Sequence, residues 1–93
     1  MEKTIWKYII EIKDSQEINM PLGAEILSIQ NQNESICIWV LVSPKEARKE
    51  IRIFEIFGTG HPINYDMGVN RIFIQTFQYS EGQFVGHVFE RLD

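Results

Sequence analysis

Polar and apolar residues alternate with a period of two along most of this chain, the pattern of half-buried β-strands. Between Lys3 and Ile12, residues Thr4, Trp6, Tyr8, Ile10 and Ile12 fall on one face, and Ile5, Lys7, Ile9 and Glu11 on the other. Asp14-Ser15-Gln16 supplies a turn, and Ile18-Asn19-Met20 predicts a short extended piece that Pro21 stops. Pro21-Leu22-Gly23 turns the chain into a strand over Ala24 to Gln32. The polar stretch Asn31 to Ser35 then leads into a strand over Ile36 to Val42. Further strands are predicted over Ile51 to Phe57, Arg71 to Tyr79 and Phe84 to Leu92, with Ser80-Glu81-Gly82-Gln83 as the hairpin turn between the last two.

Only Ser43 to Glu50 has helical composition. Ser43-Pro44 fits a helix start, but no apolar stripe follows, so at most one short helical turn near residues 44–50 is expected. The pattern therefore predicts an all-β fold, a small antiparallel sandwich or barrel of about six strands. Residues 1–93 form one domain without repeats, linkers or low-complexity tracts.

Two strands break the clean alternation. Cys37, Trp39 and Leu41 oppose Ile36, Ile38, Val40 and Val42, while Ile51, Ile53 and Phe57 oppose Phe54 and Ile56. An antiparallel sheet normally leaves one face to solvent. A chain this short buries only about 60–65% of its unfolded surface, too little to cover two faces of every sheet. Either the sheet closes into a barrel that a loop covers, or a second apolar face meets another subunit. A homo-oligomer is expected.

Composition narrows the partners. Hydrophobic residues make up 44% of the chain and aromatics 12%, which excludes a disordered chain. A net charge of −4 argues against nucleic acid as a partner, because phosphate affinity comes from clustered Lys and Arg. Lys45, Arg48, Lys49 and Arg52 are interleaved with Glu46 and Glu50 and read as a solvated turn. Cys37 is a lone cysteine within an apolar run, so a buried, inert thiol is expected. Charges interrupt the apolar positions near Met1, and no apolar run approaches the ~20 residues of a membrane span. Neither a signal peptide nor a membrane partner is expected, and the compartment reads as cytosolic.

Residues 58–70 carry the candidate chemistry. Loops of this length in compact domains are usually functional or disordered. The backbone amides of Gly58, Thr59, Gly60 and His61 could form an anion-accepting nest. Arg71, with Arg52 on the preceding strand, could add guanidinium donors for a phosphate. Asn64 lies in the same loop, and Tyr65, with Trp39 and Phe73, offers a stacking platform. The ligand-binding set is thus Gly58, Thr59, Gly60, His61, Asn64, Tyr65 and Arg71. The competing reading is that Arg71 pairs with Asp66 and the glycines only turn the chain.

His61, His87 and Asp66 could supply a two-histidine, one-carboxylate metal site, but no motif spacing supports one. His87 alternates with Val85 and Phe89 and fits a hydrogen-bonded core or interface histidine better. No serine has a nucleophile-elbow context, and Gly58-Thr59-Gly60 is not followed by the helix that a dinucleotide or P-loop site needs. No catalytic residue, metal or cofactor is therefore assigned, and binding is the leading expectation ahead of enzymatic activity.

Thr4-Ile5-Trp6-Lys7-Tyr8, Met20-Pro21-Leu22-Gly23-Ala24-Glu25-Ile26-Leu27-Ser28, Ile38-Trp39-Val40-Leu41-Val42-Ser43-Pro44, Gly58-Thr59-Gly60-His61-Pro62-Ile63 and Gly86-His87-Val88-Phe89-Glu90 follow one another along the chain. In this order they resemble a family of small proteins of unknown function encoded by bacteriophages and prophages. The resemblance implies a phage protein acting in the host bacterial cytoplasm or as a minor virion component. By analogy of class it brings in small acidic β-rich oligomers that capture nucleotide signals of host immunity. The expectation is a protein that sequesters a small anionic ligand, a nucleotide or nucleotide-derived immune signal, in a pocket built partly by loop 58–70 at a subunit interface. The alternative is a virion, structural or host-protein-binding module with no small-molecule ligand.

Overall fold

A computed structural model describes residues 2–63 and 70–92. The alternation resolves into seven strands, β1 (Thr4–Ile10), β2 (Ser15–Pro21), β3 (Glu25–Gln32), β4 (Ser35–Val42), β5 (Lys49–Gly58), β6 (Arg71–Tyr79) and β7 (Phe84–Arg91). The extended piece predicted around Ile18 is a full strand, which brings the count from about six to seven. Among the described residues there is no helix. Residues 43–48 turn instead, with the Glu46 N–H donating to the Ser43 carbonyl at 3.0 Å and the Glu46 carboxylate accepting from the backbone N–H and the guanidinium of Arg48, while Lys49 and Glu50 already belong to β5. The Arg48 side chain is the chief reason that the Glu46 carboxyl is held down at about 2.

Every ladder is antiparallel. The strands form a three-stranded sheet, β1-β4-β3, and a four-stranded sheet, β2-β5-β7-β6. The result is a small sandwich. Ile10, Ile29, Ile36, Ile38, Val40 and Val42 of the first sheet share one core with Met20, Phe54, Ile56, Phe77 and Val88 of the second, each no more than 5% exposed. The two-residue turn Asn33-Glu34 joins β3 to β4 with both φ values positive, at 51° and 65°, as a hairpin of that length requires.

One side of the sandwich is stitched shut. A bulge at Leu27 bends β3, and a bulge at Ile74 bends β6. The edge amide of Ile29 then donates to the Gln75 side-chain oxygen at 2.8 Å, and Asn31 Nδ2 donates to the Gln78 carbonyl at 2.9 Å. Ile29 is 1% exposed, so its N–H has no route to water if Gln75 is lost. Gln75→Ala should therefore cost about 1–3 kcal/mol, the desolvation penalty of an orphaned buried donor. Urea unfolding measures it, and an unchanged midpoint would mean that the staple contributes nothing.

Charge is also buried inside the sandwich. Arg52 lies on the core-facing side of β5 and is bonded to both carboxylate oxygens of Glu90 on β7. It also donates to the Ala24 carbonyl at 2.8 Å and to Glu50 at 3.1 Å. The hydrogen bonds with Glu90 are the main reason that its guanidinium holds its proton even more firmly than usual. On the opposite face of the same strand, Glu55 is buried as well.

Candidate functional site

β5 and β6 both run antiparallel to β7 and flank it, so they are parallel to one another. Two parallel strands of one sheet need a crossover connection of about a dozen residues or more. The connection 59–70 has that length. What the sequence suggests as a functional loop thus has a topological requirement behind its size.

Its first residues are tightly tied down. Gly58 ends β5 opposite Gly86. A Cβ at Gly58 would lie 2.7 Å from two atoms of the His61 ring, so glycine is what lets that ring rest on the strand end. The Thr59 amide donates to the Val85 carbonyl at 3.3 Å, and the His61 amide donates to the Gly58 carbonyl at 3.0 Å. Gly60 sits at φ 84°, in the left-handed region. Two amides of the expected anion nest therefore already serve backbone carbonyls.

His87 is held at both ring nitrogens. Thr59 Oγ1 lies 2.7 Å from Nε2 and Thr76 Oγ1 lies 2.8 Å from Nδ1. This geometry fits the hydrogen-bonded reading of His87, which pins the start of the connection to β6. Thr76 carries no sequence signal of its own, since it meets His87 only through the β6–β7 register. Among the described residues, no cluster of three or more His, Cys, Asp or Glu is placed to hold a metal ion.

His61 and Pro62 border a groove of about 380 Å³ over the outer face of the four-stranded sheet. Its walls include His61, Pro62, Asp14, Glu55, Arg71 and Arg91. Arg71 Nε donates to Glu55 Oε1 at 2.6 Å, and the two side chains are 12% and 10% exposed. The Arg71 guanidinium carbon also lies 5.9 Å from the centre of the Phe57 ring. Arg91 is opposite Ile53 on one side and Arg71 on the other. Its Nε is buried and has no hydrogen-bond partner among the described residues.

The residues singled out in the sequence separate into groups. His61 and Arg71 share the groove, whereas Gly58 and Thr59, with His61 again, border a smaller hollow beside Gln83, Phe84 and Val85. Arg52 is not available to the groove, since it points into the core toward Glu90. Trp39 belongs to the other sheet. Phe73 does lie on the outer face nearby, 5.5 Å edge-to-face from Phe89. Asn64, Tyr65 and Asp66 lie outside the described residues. Arg91 was missed. Its signal was the alternation Val85, His87, Phe89, Arg91, which places a guanidinium on the face of His87.

A family model described as a domain of unknown function, DUF7352, matches residues 1–93. No curated protein and no solved structure matches the chain.

Proposed function

We propose, for a chain that belongs to the DUF7352 family and inherits no assigned activity from it, a binding role. The protein captures a small anionic ligand, a nucleotide or nucleotide-derived immune signal, in the groove that His61 and Pro62 border on the four-stranded sheet. It acts as a phage or prophage product in the host bacterial cytoplasm and needs no cofactor.

The observation that carries this reading is the convergence of Arg91, Arg71 and His61 on one groove. Guanidinium groups at the wall of a groove are suited to bidentate hydrogen bonds with ligand oxygens. Asp14 and Glu55 balance the two arginines, so selection rests on donor geometry more than on excess charge. The groove is also within the range of small-molecule sites, about 300–1,000 Å³.

Calorimetry against mono-, di- and cyclic nucleotides tests the proposal. Arg71→Ala is a poor probe, because it strips buried Glu55 of its guanidinium partner. Arg91→Met keeps the aliphatic stem and removes the guanidinium with its buried, unpaired Nε, so stability should hold or rise by up to about 1–3 kcal/mol. Binding should weaken by roughly 2–3 kcal/mol, about a 30- to 150-fold rise in Kd. If no nucleotide binds the wild type tighter than millimolar, the reading falls. The virion or host-protein-binding reading then leads, since Ile51 and Phe73, 63% and 56% exposed, offer apolar contacts on the same sheet.

A further inference from the structure

The outer face of the three-stranded sheet is organised as three columns. Ile5, Lys7 and Ile9 line β1, Leu41, Trp39 and Cys37 line β4, and Glu25, Ser28 and Gln30 line β3, with Leu27 at the bulge. Ile5, Ile9 and Leu27 are 56%, 65% and 44% exposed. Outward positions of a sandwich are ordinarily polar. Lys7 lies 5.7 Å from the Trp39 ring centre and reaches only an amide, the Gln32 oxygen at 3.2 Å. Among the described residues, neither Lys7 nor Glu25 has an ion-pair partner.

The chain is also spread thin. Its radius of gyration is 13.9 Å, against about 12.3 Å for a compact domain of this length. It exposes 6214 Å², against about 5,600 Å² for a compact 10.9 kDa monomer.

We propose that this face is a two-fold interface between two copies of the chain. A two-fold axis along β4 lays β1 of one copy over β3 of the other and seats the Leu41-Trp39 column on its own counterpart. Lys7 and Glu25 stand one same-face step apart along the strands, about 7 Å, which a lysine side chain spans. Each Lys7 then meets Glu25 of the partner subunit, and the reverse contact follows from the symmetry. A second copy is the occupant that answers the lysine column, the apolar column and the glutamate together. The groove of Arg71 and Arg91 belongs to the other sheet, so the interface does not depend on the ligand proposal.

Sedimentation equilibrium on the full chain at micromolar concentration should report twice the 10.9 kDa chain mass. Ile5→Glu with Ile9→Glu places charges at two already exposed positions. It should leave the far-ultraviolet spectrum unchanged and raise the dissociation constant at least about 100-fold, as loss of paired hot spots does. Lys7→Glu should weaken the dimer several-fold, and adding Glu25→Lys should restore it, a rescue that damage to the fold would not show. A wild-type monomer overturns the proposal. So does a dimer that survives both charge-insertion changes, that is not restored by the swap, or that is broken by Phe73→Glu on the opposite face.

Discussion

Glu90→Ala is expected to lower the free energy of unfolding by about 3–5 kcal/mol, a large part of the 5–15 kcal/mol available to a small domain. The Glu90 and Arg52 side chains are 5% and 16% exposed and are joined by two hydrogen bonds. Removing the carboxylate leaves a guanidinium inside the sandwich with Glu50 and the Ala24 carbonyl as its remaining acceptors. Most of the loss is the cost of leaving that charge with only the more exposed Glu50 as its counter-ion, and not the worth of the bond itself. Arg52→Met combined with Glu90→Leu should therefore recover much of the deficit. It will not recover all of it, because the Ala24 carbonyl then lacks its donor, which costs about 1 kcal/mol. Denaturant titrations of wild type, single and double variants decide the matter. A single-variant loss below 1 kcal/mol would show that the pair is solvated and has no structural weight.

Phe54→Ala should be comparably severe, at about 3–5 kcal/mol. Phe54 is the largest of the fully buried side chains, at 0% exposure, and its ladder partners are Gln16 on β2 and Glu90 on β7. The cavity would open beside the Arg52–Glu90 pair, and water entering it would weaken the demand for charge compensation. Phe54→Ala and Glu90→Ala should accordingly be non-additive by more than about 0.5 kcal/mol, as contacting sites are. If Phe54→Ala costs less than about 1 kcal/mol, the two sheets are not close-packed at that point.

Strand periodicity was legible where one face meets water. Arg71 to Tyr79 reads from the sequence with the boundaries it has in the fold. β2 was clipped to its centre because Ser15, Glu17 and Asn19 face outward on an edge strand and look like a loop. Residues 43–50 had the composition of a helix start, but the Glu46 N–H closes a turn onto the Ser43 carbonyl and β5 begins at Lys49. The candidate site was half legible. His61 in the loop and Arg71 at its far end stood out and do line one groove. The partnership of Glu55 with Arg71, and the approach of Arg91, depend on which strands are neighbours, and that order is long-range information. A charged residue in mid-strand carries no mark of whether it will face solvent or a partner.

The placement of β7 has a consequence for the order of assembly. It is the last strand in sequence, yet it occupies an interior position between β5 and β6. During synthesis β5 and β6 emerge with nothing between them, and neither can complete its hydrogen bonds until residues 84–91 arrive. The β6–β7 hairpin closes only a short loop, so it can form quickly and then dock as a unit against β5. A nascent chain halted before β7 displays two unsatisfied strand edges, which are templates for association with other chains.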